Sequence, residues 1–275
     1  MPEGDTIYRV ARTLQIAIGG RTVTRFQSEF PHLNRIDEDH PLSGRSVESV
    51  AAAGKHLLIR FSGDLVLRSH MRMNGSWHVY RPGERWQRRR SDMRVIIETG
   101  EWIAVGFSIP VAEFLDSKSL ARQSDLSAMG PDALAATFDR NEALDRLRAR
   151  PDEEIANALL NQRVIAGIGN VYKSEVLFLC RINPFRKTRE LSDEDLERIL
   201  DASRAQIKAN VIDAERNGVA FPRAMRVTTR RIDPNAKLWV YGRKGDPCRT
   251  CGTPVERRSQ GPDARATYWC PSCQP

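Results

Sequence analysis

Apolar residues recur at helical spacing near the start of the chain, at Ile7, Val10, Ala11, Leu14 and Ile18, and Gly19-Gly20 stops the pattern. The spacing predicts a helix that begins almost at the first residue. From Thr22 to about Leu115 the pattern changes to short alternating segments, His56 to Phe61, Leu65 to Ser69, Met93 to Glu98 and Trp102 to Phe107. Breaks at Gly63-Asp64, Asn74-Gly75 and Gly100 separate them, which predicts an antiparallel sandwich or barrel. Helical periodicity then returns. Pro151, suited to a first helical turn, opens a predicted helix through Leu160, and further helices are expected over Val171 to Cys180 and Asp193 to about Glu215. Ser192 and Asp195 form a capping-box-like start for the last of these, with Leu196, Ile199, Leu200, Ile207 and Val211 on its inner face. A stretch rich in Gly, Pro and Arg, Asn217 to Asn235, reads as a long loop of the kind that carries function.

Length and composition bound this picture without changing it. At 275 residues and 40% hydrophobic content, two ordinary domains and a small appendage can be buried. The longest uncharged apolar run, Trp102 to Ala112, is too short to span a bilayer. Glu3 and Asp5 break the basic-then-apolar order of a signal peptide, so the expected location is the cytoplasm. Charge adds more. The chain carries +8, and Arg216 to Pro275 holds twelve Lys/Arg against four Asp/Glu, so the first 215 residues sum to zero. A basic tail of this kind is a footprint for phosphate, or else a solvated surface.

Four of the five cysteines also lie in that tail. Cys248, Cys251, Cys270 and Cys273 form two C-x2-C pairs separated by 18 residues, the spacing of a four-thiolate zinc site. Disulfides are the alternative, disfavoured in a reducing compartment. Cys180, in an apolar run, reads as a buried hydrophobe. At the other end, removal of Met1 would leave Pro2 as a free secondary amine with a pKa of about 7.7 to 8.0, partly neutral and nucleophilic near pH 7. A secondary amine attacking a sugar C1′ gives an iminium that cannot discharge at nitrogen and so acts as an electron sink. The helix that follows would turn its positive end toward the amine.

Several segments together carry a family resemblance. Pro2-Glu3-Gly4 resembles the start of the formamidopyrimidine-DNA glycosylase and endonuclease VIII family, and Gly4-Asp5-Thr6 is more similar to the endonuclease VIII branch. Asn161-Gln162, Ala166 to Tyr172 and Glu175 resemble the family's helix-two-turn-helix. Val240 to Cys248 resembles its entry into a zinc finger, and Ala264 to Cys270 its exit. The likeness runs end to end. It implies an α+β fold: an N-terminal β-sandwich over 1–128, a helix-two-turn-helix domain over 129–235 and a zinc-finger hairpin over 236–275.

The resemblance also implies roles. Pro2 would be the nucleophile, Glu3 a general acid, and Lys55, in Gly54-Lys55-His56, a phosphate ligand that assists β-elimination. Gly167, Gly169 and Asn170 would hold phosphate on a hairpin, and Arg265, on a β-hairpin around Gly261-Pro262, would assist δ-elimination. Met73 would fill the hole left by a flipped nucleotide while Arg72 addresses its partner base, with His70, Tyr241 and Arg243 as further DNA contacts. The implied cofactor is one structural Zn2+, and the implied partner is damaged DNA, bound by a monomer and not by a membrane protein. One departure bears on substrate. The segment Phe107 to Ala112 lacks the arginine that purine-directed members place there, so oxidised pyrimidines are expected. The alternatives are a purine-directed glycosylase and a zinc-finger DNA-binding protein without chemistry.

Overall fold

The computed structural model describes residues 2–216, 226–231, 233 and 235–275. The chain divides into two compact units, one built on Met1–Ala128 and the other on Met129–Arg216 with the C-terminal segment to Pro275. Much of the loop expected over Asn217 to Asn235, namely 217–225, 232 and 234, lies outside the described residues.

In the first unit, α1 (Gly4–Ile18) leads into β1 (Val23–Ser28), α2 (Pro31–Asp39), β2 (Val47–Ala53), β3 (His56–Phe61), β4 (Leu65–His70), β5 (Ser76–Tyr80), β6 (Met93–Thr99), β7 (Ile103–Phe107) and β8 (Val111–Leu115). Two short helices, α3 (Ser117–Arg122) and α4 (Ser124–Ser127), close it. The strands form two four-stranded antiparallel sheets, ordered β1-β6-β7-β5 and β2-β3-β4-β8. The expected sandwich is the observed architecture. Its core joins Ile7, Leu14 and Ile18 of α1 to Leu57, Ile59, Phe61, Leu67, Val95 and Ile97 of the two sheets. Alternation is weaker than the sequence suggested, because β3 and β4 each bury four of their six residues and half-bury the other two. Leu120 of α3 covers Leu58 and Val66 on the face turned away from the core, which makes this sheet a middle layer.

One helix inside the stretch read as strands was not expected. In α2, Pro31 occupies the first turn, and Leu33 is its only wholly buried residue, so no apolar stripe announces it.

The second unit holds α5 (Arg140–Arg148), α6 (Ile155–Leu160), α7 (Asn170–Leu179), α8 (Asp193–Arg216) and the hairpin β9 (Glu256–Gln260) and β10 (Arg265–Trp269). Leu144, Leu147, Leu159, Ile165, Ile168, Tyr172, Leu177, Ile199 and Ile207 form its core. The expected cap on α8 is present, with the Asp195 amide donating to Ser192 Oγ at 3.2 Å and the Ser192 amide to Asp195 Oδ2 at 3.4 Å. The helix expected from Pro151 is shorter than the periodicity implied. Residues 151–154 are turn, Glu154 pairs with Lys187 in an isolated bridge, and the Ile155 amide donates to Arg186 O at 2.9 Å. That pairing takes the donors a longer helix would have used. The chain also forms α5, which was not expected, capped by Asp139 through the Glu142 amide.

Candidate active site and metal centre

Pro2 is half-buried and directly precedes Glu3, which caps α1 and is wholly buried. The Glu3 carbonyl accepts the amides of Thr6 and Ile7 at 2.9 and 3.1 Å. Asp5, also wholly buried, faces Arg9 at 3.6 Å across one helical turn. Two carboxylates in the first turn of a helix lie where its dipole is most favourable to negative charge.

Lys55 is half-buried in the turn that joins β2 to β3, and its charge helps hold the His70 imidazole below its ordinary pKa, after burial as the leading cause. His56 opens β3 and His70 closes β4, and their rings meet edge to face at 4.8 Å. The His56 pKa falls to about 4, chiefly through burial, with His70 and Arg68 adding to the effect and Asp125 opposing it. Beneath them Arg68 donates to both oxygens of Asp125 at 2.8 and 2.6 Å and meets Glu113 at 2.6 Å. Sequence reasoning named His70 and missed His56, Arg68 and Asp125. Only the His56 beside Lys55 offered a signal, and the rest depends on how β4 pairs and on where α4 packs against it.

Beyond β4 the chain makes a tight turn. The Arg72 amide donates to His70 Nδ1 at 3.0 Å, Arg72 takes a left-handed φ of 47°, and the Gly75 amide closes on Met71 O at 2.9 Å. Met71 points inward at 1% exposure, whereas Met73 is 64% exposed. The neighbouring β7–β8 turn spans only Ser108 to Pro110, with Ile109 buried against Gly106, where a Cβ would lie 2.2 Å from Ile109 Cδ1. The glycine is what lets this turn fold flat.

In the second unit, Gln162 braces the hairpin between α6 and α7. Its amide nitrogen donates to the carbonyls of Leu160 and Ile168, each at 2.9 Å, and its oxygen accepts the Gly167 amide at 3.0 Å. Gly167 has φ of 94°, a conformation that side chains resist. Gly169 caps α7 and Asn170 begins it, so their backbone amides lie at a helix N-terminus. The Asn170 side chain donates to Ala266 O at 2.8 Å, which ties the start of α7 to the residue after Arg265. Arg265 itself is exposed, 3.5 Å from Asp263.

Three residues of α7 that no motif singled out for this purpose hold the C-terminal segment to the helix, Lys173 and Ser174 at the hairpin and Glu175 at the turn before it. Lys173, wholly buried, donates to Thr267 Oγ1 at 2.7 Å; Thr267 donates to Gln260 Oε1 at 2.6 Å, and Gln260 reaches Glu154 at 2.7 Å. Ser174 Oγ accepts the Tyr268 amide at 3.4 Å. Glu175 accepts the amides of Trp239, Val240 and Tyr241 at 2.8, 2.9 and 2.8 Å, together with the Thr228 hydroxyl. Burial pushes its carboxyl above the ordinary range against those four hydrogen bonds. Tyr241 packs its ring 5.0 Å from that of Tyr268. Arg243 donates to Trp239 O at 2.6 Å and Pro247 O at 2.9 Å, so two arms of its fork brace the turn leading to Cys248.

The four cysteines of the tail come together. Their sulfur atoms all lie within 4.8 Å of one another, with Cys251 to Cys270 at 3.4 Å and Cys248 to Cys273 at 3.9 Å. Sulfurs bound about 2.3 Å from one tetrahedral ion stand a little under 4 Å apart, so the set fits a metal ion. The Thr250 amide points at Cys248 Sγ at 3.4 Å, and Gln274 fixes the other knuckle by accepting the Cys270 amide at 3.0 Å and donating to Ile182 O at 2.8 Å. Cys180 stays apart, buried, with its thiol pushed up to about 11 by that burial.

Comparison with known proteins agrees with this geometry. The formamidopyrimidine-DNA glycosylase N-terminal domain matches residues 1–110, and the formamidopyrimidine-DNA glycosylase H2TH domain matches 129–221. The chain is 40% identical to a probable endonuclease 8 2 of Streptomyces coelicolor, over all of this chain and 94% of that one. It is 36% identical to the DNA-(apurinic or apyrimidinic site) lyase Nei2 of Mycolicibacterium smegmatis, over all of this chain and 99% of that one. Its fold is shared with Lactococcus lactis Fpg, solved with abasic-site DNA, at a TM-score of 0.82 and 22% identity over 99% of both chains. No helix among the described residues is long and apolar enough to cross a membrane. Matched on most of its length and full-length similar to endonuclease 8 relatives, the chain belongs to the formamidopyrimidine-DNA glycosylase and endonuclease VIII family, and is an enzyme of that DNA glycosylase and abasic-site lyase class.

Proposed function

We propose that this enzyme removes oxidised pyrimidines from DNA through the amine of Pro2 and then opens the strand by β,δ-elimination. The observation that carries the reading is the N-terminal turn: a proline directly ahead of a helix whose N-cap residue, Glu3, is wholly buried. The helix dipole favours the neutral amine there. Its lone pair forms a bond to C1′ of the flipped nucleotide as the C1′–base bond breaks, and Glu3 supplies a proton to the sugar or the departing base. The amine gives up its proton, and the C1′–O4′ bond breaks as O4′ takes a proton relayed through Glu3, which leaves an iminium at C1′; this iminium draws the electrons of the C2′–H bond, so C3′–O breaks and phosphate leaves. Loss of the C4′ proton then expels the phosphate at C5′, and water releases Pro2. Lys55, His70, Asn170 and Arg265 hold phosphates through these steps, while Met73 occupies the vacated stack with Arg72 beside it. Tyr241 and Arg243 shape the approach to the finger.

Pyrimidine preference follows from the β7–β8 turn. Its three residues carry no arginine and bury Ile109, so they offer nothing to a purine-directed wedge, whereas Met73 is exposed. The ion held by Cys248, Cys251, Cys270 and Cys273 is zinc, which is inert to redox chemistry and holds the fold of the finger. The protein acts on damaged DNA as a monomer.

Borohydride trapping tests the core of this. Protein with Pro2 at its N-terminus should be reductively locked to lesion DNA, and protein with a retained tag should bind DNA yet neither trap nor nick, because an amide has no nucleophilic lone pair. Equal turnover by protein shown to keep its tag would refute it. A panel of lesion duplexes with each opposite base decides between pyrimidine and purine substrates.

A further inference from the structure

We infer that Arg88, Arg89 and Arg90 form a second phosphate-binding platform that grips the duplex flanking the lesion. This rests on the reading above only in taking the Arg72–Met73 turn as the DNA-facing edge of the first unit.

The segment joining β5 to β6 reads Arg81 to Asp92 and holds five arginines, Arg81, Arg85, Arg88, Arg89 and Arg90, against two acids, Glu84 and Asp92. Arg81 is engaged with Glu101 at 3.2 Å, and the Glu84 carboxylate accepts the Arg81 amide at 2.9 Å. Arg85, Arg88, Arg89 and Arg90 are exposed and have no carboxylate partner among the described residues. The segment is nonetheless fixed. Trp86 packs on Phe107 at 5.5 Å and on Tyr80 at 6.2 Å, and the Gln87 amide donates to Tyr80 Oη at 3.1 Å. Arg90 lies 5.5 Å over the Trp86 ring, the Asp92 amide donates to Arg89 O at 3.1 Å, and Asp92 O accepts the Ser108 amide at 2.6 Å. Three adjacent like charges repel one another. A chain that holds them on an aromatic anchor, and leaves them unneutralised, presents a preorganised surface for an anion.

Strand register shows where that surface lies. Ser76, the first residue of β5, and Met93, the first of β6, are both partners of Phe107, the last residue of β7. The Arg72–Gly75 turn runs directly into Ser76, and the Arg88–Asp92 segment runs directly into Met93. Both therefore leave the sheet at one end, so the arginines stand beside the turn that carries Met73. Successive phosphates of a duplex that meets Met73 continue past this edge, and guanidinium groups suit them.

The test is equilibrium binding of the full-length protein to a duplex with a non-cleavable abasic analogue, measured across salt concentration. The R88A/R89A/R90A variant should give a slope of log affinity against log salt shallower by about two to three units, near 0.9 for each phosphate that is no longer neutralised. R88K/R89K/R90K should keep the slope close to wild type. Cleavage of a preformed abasic site at saturating DNA should be unchanged in both, and shortening the duplex flank should erase the difference between variant and wild type on one side of the lesion only. An unchanged slope in the alanine variant would overturn the inference, as would a lysine variant as shallow as the alanine one. A wild-type protein that borohydride never traps would count against the Pro2 chemistry alone, since the slope is read on DNA that cannot react.

Discussion

Met71 and Met73 lie two positions apart on the same turn and have opposite fates, 1% and 64% exposed. Met71→Ala should cost about 2–5 kcal/mol, the usual range for truncating a core methionine. Met73→Ala should change stability by no more than about 0.5 kcal/mol. It should slow excision from duplex DNA while sparing cleavage of single-stranded abasic DNA, which has no stack to hold open. Denaturant melts and the two substrates separate these outcomes, and equal loss on both substrates would deny Met73 the wedge role. Glu3→Gln addresses a different step. It should suppress base excision yet leave more of the nicking at preformed abasic sites, where no base departs. Equal impairment on both would make Glu3 a residue that positions Pro2. At this scale the sequence was legible where chemistry is written in spacing, as in the two Cys pairs. It was silent where a residue acts through a partner far along the chain. Lys173 meets Thr267 across 94 residues and Arg68 meets Asp125 across 57, and neither pair leaves a local pattern.

Among elements, strands bounded by Gly-rich turns and helices with long apolar stripes matched their expected bounds within a residue or two. Short polar helices did not. In α5 only Ala143, Leu144 and Leu147 are buried, and the charged side chains that fill most of its other positions mask the stripe. Pro151 has the chemistry of a helix start, but the bridge between Glu154 and Lys187 claims the backbone first. The pair of strands β3 and β4 gives a prediction of its own, because their ends place His56 against His70. The folded-state pKa of His56, about 4, lies below its ordinary 6.5. Between those values the unfolded chain binds more protons than the native one, so the stabilisation is fully present above pH 6.5 and is lost as pH falls toward 4. The His56 side chain is only 12% exposed, and the loss should not exceed about 3 kcal/mol. Thermal melts from pH 7 to 4.5 should show this sag, and His56→Gln should flatten much of it. A variant that sags as steeply as wild type would assign the acid sensitivity to other groups, His70 first.

For the whole molecule, the sandwich and the cysteine cluster were legible because each has its own period or spacing, whereas the helix-two-turn-helix was legible only through the resemblance of Asn161-Gln162, Ala166 to Tyr172 and Glu175 to a family motif. The charge distribution was legible only in part: the tail stood out, whereas the arginines of 85–90 were cancelled by acids elsewhere in the first 215 residues. The four-cysteine site that fits a metal ion belongs to the second unit. Cys248 and Cys270 share a small core with Val240, Val255 and Phe178 of α7, and the β9–β10 hairpin hangs between the two knuckles. Chelation should therefore unfold the hairpin and release both Arg265 and the Ala266 carbonyl that Asn170 holds. In calorimetry the transition of the second unit should fall in temperature and that of the β-sandwich should stay. Arg265→Ala is the milder form of the same lesion. It keeps the four thiolates, the metal content and the trappable Pro2, because neither the ion nor the amine depends on that guanidinium. If Arg265 steadies the second departing phosphate, the β-elimination product should accumulate at the expense of the δ product at matched DNA saturation. Cys270→Ser should shift that ratio in the same direction and also lose most of the metal. An unchanged product ratio in Arg265→Ala, with a salt slope shallower by about one unit, would leave Arg265 as a phosphate ligand with no part in the chemistry.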